Sequence, residues 1–236
     1  MKDKKAERIQ TSILNAAEKK ALVWLAERQP KWMTSDLLTG IGSLGALLIG
    51  LGFYFSSNNL NFLWLAIFGF FVNWYGDSLD GTLARVRKIE RPIYGYYVDH
   101  TVDCINEMMM VLGIGLSSLM HLNIALFIMI AYFLITINVS VNAHLKSEFR
   151  LTYAKLGPTE FRIIAVILCL LLMHIPGATT WSTCANLFGQ AVTLKTMDIA
   201  GIVIFIILML MYFVSIISDA RGYAKSDPKD KSKLQK

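Results

Sequence analysis

Charge is scarce in this sequence: only 17% of its 236 residues are Asp, Glu, Lys or Arg, whereas 55% are hydrophobic. That balance excludes a pair of soluble domains and points to one membrane domain. Cysteine is nearly absent. Cys104, Cys169 and Cys184 are scattered and form no CxxC or Cys/His spacing, which excludes a zinc ribbon and leaves packing roles. No internal repeat is present, and the basic residues do not form a stripe interleaved with stacking aromatics, so the net charge of +6 does not describe a nucleic-acid surface. No signal peptide is evident either. The first apolar run follows a long charged segment without a small-residue cleavage pattern, and the amino terminus is expected to be retained.

What the chain does have is length in its apolar runs. Six spans are expected, at about 36–55, 61–82, 96–119, 123–143, 161–176 and 198–218. The fifth is short and ends at His174-Ile175-Pro176-Gly177, as a tilted or broken span would. All Lys and Arg except Lys195 fall before the first span, in alternate loops, just inside the fifth span at Arg162, or in the tail. By the positive-inside rule this places both termini and the second-to-third loop in the cytoplasm, in a multi-pass integral membrane protein. Residues 5–28 carry Ile9, Ile13, Leu14, Ala17, Leu22 and Leu25 among charged neighbours. Such a pattern predicts an amphipathic helix in the interface, with Trp24 and Trp32 at headgroup depth and Pro30 as its stop. The expected organisation is a juxtamembrane segment over 1–34, a six-helix domain over 35–220 and a basic, disordered tail over 221–236.

Against this background residues 77–103 stand out: Asp77-x-x-Asp80-Gly81-x-x-Ala84-Arg85, nine residues, then Gly95-x-x-x-Asp99-x-x-x-Asp103. A charged side chain at membrane depth costs roughly 2.5 to 3.5 kcal/mol, so four carboxylates without partners would oppose insertion by about 10 kcal/mol. Cations must offset that. Asp77 and Asp80 are three apart and Asp99 and Asp103 four apart, so each pair lies on one face of its helix. Two such pairs facing each other make an oxygen-lined site suited to Mg²⁺ or Mn²⁺, two per site, the arrangement of a two-metal phosphoryl-transfer centre. Gly81 lets a ligand approach the backbone, Ala84 keeps the next turn narrow, and Arg85 offers a planar fork for a phosphate. The plainer reading is a set of helix-end charges at the membrane surface; the Gly, Ala, Arg and second Gly at fixed offsets speak against it.

With these residues the chain resembles the CDP-alcohol phosphotransferases, integral membrane enzymes of phospholipid synthesis. Their signature, D-x2-D-G-x2-A-R-x(8 or 9)-G-x3-D-x3-D, is matched here at every fixed position. The resemblance implies an all-α integral membrane fold, a six-transmembrane-helix bundle with an N-terminal amphipathic interfacial helix. It implies transfer of a substituted phosphate from a CDP-linked donor to an acceptor hydroxyl, with release of CMP. By the same resemblance Asp77, Asp80, Asp99 and Asp103 are metal ligands, with Asp103 also the base for the acceptor hydroxyl. Asp77, Asp80, Gly81, Ala84, Arg85 and Gly95 would bind the CDP moiety. A homodimer is implied as well, through the third and fourth spans, where Gly113, Gly115, Ser117 and Ser118 would permit close helix approach.

Donor and acceptor remain open in the sequence. His100 follows Asp99, and Gly157-Pro158-Thr159-Glu160 opens the fifth span after a loop bearing His144. Both features resemble the choline and ethanolamine phosphotransferase branch, where the His and Glu are implicated in activating a diacylglycerol hydroxyl, and the reading leans slightly to that branch, with His100 and Glu160 catalytic. The alternative is a CDP-diacylglycerol-dependent enzyme acting on inositol, inositol phosphate, serine or glycerol phosphate. In that case Lys146, Arg150, Lys155 and Arg162 would form an acceptor-phosphate pocket, although cytoplasmic-loop cations are expected on topological grounds alone. A reading of another class, an ion-coupled membrane transporter, would also use intramembrane acids, but the inverted repeats typical of such folds are missing.

Overall fold

The computed structural model of the chain describes residues 7–9, 15–146, 148–150, 158–187 and 190–227. Helix α1 (Asn15–Glu27) precedes six longer helices: α2 (Ser35–Phe55), α3 (Leu63–Arg87), α4 (Pro92–Gly115), α5 (Leu122–Lys146), α6 (Pro158–His174) and α7 (Thr196–Ser226). Two short strand pairs complete it. Strand β1 (Glu7–Ile9) runs parallel to β2 (Glu148–Arg150), and β3 (Ser182–Leu187) forms an antiparallel pair with β4 (Gln190–Lys195).

The all-α expectation therefore holds for the bundle, and these strands are its exceptions. Of the amphipathic segment expected over 5–28, the helix occupies Asn15–Glu27, and Glu7–Ile9 is extended. At the other end, α7 continues to Ser226, so the first residues of the expected tail are helical; 228–236 lie outside the described residues. Helices α2, α5 and α7 are long and apolar enough to cross a membrane. Helices α3 and α4, of 25 and 24 residues, are about 36 to 38 Å long at 1.5 Å per residue, but carry the charged motif. The outer faces of α5 and α7 expose Phe127, Ile130, Ile137, Val203, Leu210 and Val214. An apolar surface this extensive fits lipid rather than water.

Helices α2 and α3 form the centre, joined by their small residues. A Cβ on Gly76 would lie 2.2 Å from the backbone nitrogen of Gly42, which puts the two helix backbones in direct contact beside the acidic motif. Around this pair, α3 also packs on α1 and α6, α4 packs on α2 and α5, and α7 packs on α5. One buried cluster, with Ile49, Phe53, Leu63, Phe70, Leu172 and Met197, fills the end remote from the motif. A second, with Leu22, Ala26, Met33, Leu38, Leu79 and Leu83, fastens α1 across the motif end of α3. Arg87 reinforces it by donating to the backbone carbonyls of Gln29, Pro30 and Met33. Trp24 and Trp32 stay exposed, as interfacial anchors would.

Three of the four small residues expected at a dimer surface pack within the chain, and Ser118 is exposed. Gly113 lies against Gly50 of α2, where any Cβ would come 2.3 Å from the Gly50 carbonyl oxygen, and Gly115 lies against Ala125 and Leu122 of α5. Ser117 is buried, its hydroxyl 2.6 Å from the Ile114 carbonyl. Close approach is thus made within the chain. Cysteine use also departs from expectation at one position: Cys169 is buried, but Cys184 on β3 is exposed.

At the remote end, Asp198 in the first turn of α7 is fully buried. Its carboxylate accepts from the His121 amide at 2.7 Å and the Lys195 amide at 2.8 Å, and lies 2.6 Å from His121 Nδ1. This ties the start of α5 to the start of α7. Removing a buried charged acceptor strands its donors, so Asp198→Ala should lower unfolding stability by on the order of 3 kcal/mol. Thermal unfolding in detergent measures it, and a wild-type transition would show that these bonds do not hold the helices.

Candidate active site

Helix α3 carries Asp77 and Asp80, and α4 carries Asp99 and Asp103. The chain reverses between them in four residues, with Lys88 in the left-handed conformation (φ 56°) that ends α3, and Pro92 starting α4. Arg91 clamps this turn to α2 through both carboxylate oxygens of Asp36, each at 2.8 Å. The reversal brings carboxylate oxygens of Asp77, Asp99 and Asp103 within 4.8 Å of one another.

Asp80 is held differently. One of its oxygens accepts from the Thr39 hydroxyl of α2 at 2.7 Å, the other faces the Gly81 amide, and the Asp80 carbonyl accepts from Ser35 at 3.0 Å. It lines the α2 side of the site rather than joining the tight group of three. Gly81 lies beneath the guanidinium of Arg85, whose Nη1 would be 3.4 Å from a Cβ placed there. Arg85 donates to Thr82 at 2.9 Å and is exposed at the rim. Gly95, in the first turn of α4, has open space where a side chain would stand. Glycine at both positions leaves room for a ligand between Arg85 and the start of α4.

Arg162 of α6 reaches into the group. Its Nη2 donates to Asp77 at 2.5 Å and its Nε to the Asn73 side-chain oxygen at 3.0 Å, while Asn73 donates on to the Gly42 carbonyl. Of the four cations grouped as an acceptor pocket, Arg162 alone is placed. Lys155 lies outside the described residues, and so do the side chains of Lys146 and Arg150.

His100 takes its orientation from its own helix. Its ring stacks on Tyr96 with centroids 4.0 Å apart, and Nδ1 lies 3.0 Å from the Tyr96 carbonyl and 3.8 Å from an Asp99 oxygen. An Nδ1–H directed at that carbonyl leaves the lone pair on Nε2. Glu160 is buried in the first turn of α6, and the adjacent Thr159 donates to Glu18 of α1, which also accepts from Trp74. Through Glu18, helix α1 fixes the end of α6 that delivers Arg162.

Three clustered carboxylates are a hard-oxygen donor set that fits a divalent cation. They place more negative charge in a small volume than the Arg162 guanidinium paired with Asp77 balances, and a cation would relieve the excess. Asp77, Asp99 and Asp103 would hold it, with Asp80 on the adjoining wall.

The site's geometry agrees with what comparison finds. The family model described as CDP-alcohol phosphatidyltransferase matches residues 32–218. The chain belongs to that family of transferases, whose substrates are a CDP-alcohol and an acceptor hydroxyl. An archaetidylinositol phosphate synthase of Pyrococcus horikoshii is 30% identical over 105 residues, which are 44% of this chain and 52% of that protein. The chain thus matches about half the length of this relative.

Several site residues were not singled out in the sequence: Thr39, Asn73 and Glu107. Asn73 precedes Asp77 by four and Glu107 follows Asp103 by four, so the helical period of the motif, continued one turn each way, would have found both. Thr39 lies on another helix and has no local signal.

Proposed function

We propose that this chain is an integral membrane enzyme that transfers a substituted phosphate group from a CDP-linked donor to an acceptor hydroxyl and releases CMP. The observation that carries the reading is the convergence of Asp77, Asp99 and Asp103 within 4.8 Å, from two helices and on the family's motif positions. Helices α2 to α7 are its six spans, with both termini and the acidic site on the cytoplasmic side, and two copies make the working dimer. With Gly113 and Gly115 engaged inside the chain, a dimer through α4 and α5 would use their exposed residues, such as Ile105, Met108 and Ile130.

In the reaction, the acceptor oxygen bonds to the donor phosphorus remote from cytidine, and the bond from that phosphorus to the bridging oxygen breaks. CMP leaves with the bridging oxygen and its electron pair. Asp103 takes the proton of the acceptor hydroxyl. Arg85 holds the cytidine-side phosphate by its fork, and Gly81 and Gly95 admit the nucleotide. When bound, Mg²⁺ or Mn²⁺ supplies charge neutralisation for the diphosphate oxygens and alignment for in-line displacement.

For the acceptor, a phosphorylated polyol is the better reading, with a CDP-linked lipid as donor. Arg162 places a cation inside the acidic site, where an anionic acceptor needs one, and the relative's name is that of an inositol phosphate synthase. This reverses the slight lean of the sequence toward an amino-alcohol donor. The amino-alcohol reading retains one observation, His100 Nδ1 at 3.8 Å from Asp99 beside the acceptor's base. Purified full-length chain given CDP-diacylglycerol with inositol phosphate, glycerol phosphate, inositol or serine, and CDP-choline or CDP-ethanolamine with diacylglycerol, decides between them. CMP release with the first donor and a phosphorylated acceptor is expected. Release with CDP-choline and diacylglycerol alone would overturn the acceptor assignment, and none with any pair would overturn the function.

A further inference from the structure

Farther along α4 than the cluster, two polar atoms are shielded from solvent and lack hydrogen-bond partners among the described residues: Asn106 Oδ1 and Glu107 Oε2. Glu107 continues the row of Asp99 and Asp103 by one more turn. The Tyr132 hydroxyl of α5 donates to its carboxylate, and the charges of Asp77 and Arg162 act on it. A carboxylate oxygen left unpaired in such a place is costly, unless another state of the protein supplies its donor.

Arg162 can be that donor. Its present partner, the Asp77 oxygen at 2.5 Å, belongs to the group of carboxylates that fits a cation. One carboxylate oxygen serves a guanidinium or a dication well, and an Arg162 released beside a dication would be repelled by it unless a second carboxylate took the charge. Glu107 lies close enough for the Arg162 charge to act on it. We propose that Glu107 is a positioning residue: when Asp77 takes a cation, Arg162 passes from Asp77 to Glu107 Oε2, turning about its Nε bond to Asn73. The guanidinium then sits one turn deeper with its remaining N–H groups available to an anionic acceptor. This inference rests on the cation reading of the cluster. It makes Arg162 and Glu107 parts of one two-position element whose equilibrium the ion biases.

The test is Mn²⁺ binding, without substrates, to the purified full-length chain in detergent, read by calorimetry and by the electron paramagnetic resonance signal of free Mn²⁺. Arg162→Met removes the competitor for Asp77 and should tighten Mn²⁺ about tenfold; Glu107→Gln removes the second seat and should weaken it about tenfold, as for coupled sites generally. In the Arg162→Met background, Glu107→Gln should change affinity by less than about twofold, because no arginine remains to be received. If Arg162→Met does not fold, Arg162→Gln, which keeps donors without the charge, carries the same expectation. An equal loss from Glu107→Gln in both backgrounds would mean a direct or through-space effect on the ion and would overturn the exchange, as would no loss in either. Those outcomes leave the cation site standing. Wild-type protein that binds no Mn²⁺ would instead overturn the cation reading and the exchange together.

Discussion

Asp103→Asn should keep part of its binding of Mn²⁺ and of a CDP-linked donor while releasing CMP more slowly by a factor on the order of 10² to 10⁴, the usual contribution of a positioned general base. Asparagine keeps an oxygen at that position but has a far weaker claim on the proton of the acceptor hydroxyl. Asp77→Asn and Asp99→Asn differ in kind. Each takes a negative charge from the group whose oxygens lie within 4.8 Å of one another, so Mn²⁺ binding and turnover should be lost together. Binding and single-turnover measurements on the three variants separate these effects. Full activity in Asp103→Asn would remove it as the base, and equal loss of Mn²⁺ in all three would reduce it to a ligand.

Gly76→Ala should have an effect of comparable size from a position that touches no substrate. The added methyl would meet the Gly42 nitrogen at 2.2 Å and the Leu38 carbonyl oxygen at 2.4 Å, both backbone atoms that no rotamer change can move aside. Helices α2 and α3 must part. Overpacking of this sort costs about 1 to 3 kcal/mol, but the greater consequence falls on the site, because α3 carries Asp77 and Asp80 while α2 carries the Thr39 that holds Asp80. A misplacement of about 1 Å costs on the order of 10²-fold in rate, so turnover should fall at least that far. Gly40→Ala on the facing helix α2 is the control, since nothing lies within 4 Å of the methyl it adds. Equal activity in the two variants would show that helix contact at Gly76 does not set the geometry of the acids.

What was legible in the sequence was whatever repeats with the helix. The offsets from Asp77 to Asp103 gave two acid-bearing faces, and the short reversal between α3 and α4 turned them into one group. The apolar runs located all six long helices to within a few residues at most ends, since each run must be about 20 residues to cross a bilayer. Contacts between distant segments were not legible. Asp80 looks equivalent to Asp77 in the sequence, and only the neighbouring Thr39 on α2 sets it apart. Gly113 and Gly115 announce close packing without saying against what, and the structure gives them Gly50, Ala125 and Leu122 of the same chain. Asp198 and His121 are 77 residues apart, and nothing local in the sequence pairs them. Arg162 was noticed as one cation among several; its bond to Asp77, which changes its meaning, depends on how α6 leans on α3.

On this reading the group of Asp77, Asp99 and Asp103 is a cation-dependent phosphotransfer centre. It is tested most directly by CMP release from a CDP-linked lipid donor, with a hydroxyl acceptor present, by purified protein in excess chelator and after Mg²⁺ or Mn²⁺ is restored. The expected result is CMP release that disappears in chelator, returns with either ion, and does not return in Asp99→Asn. CMP release that persists in chelator, or that survives Asp99→Asn unchanged, would contradict it.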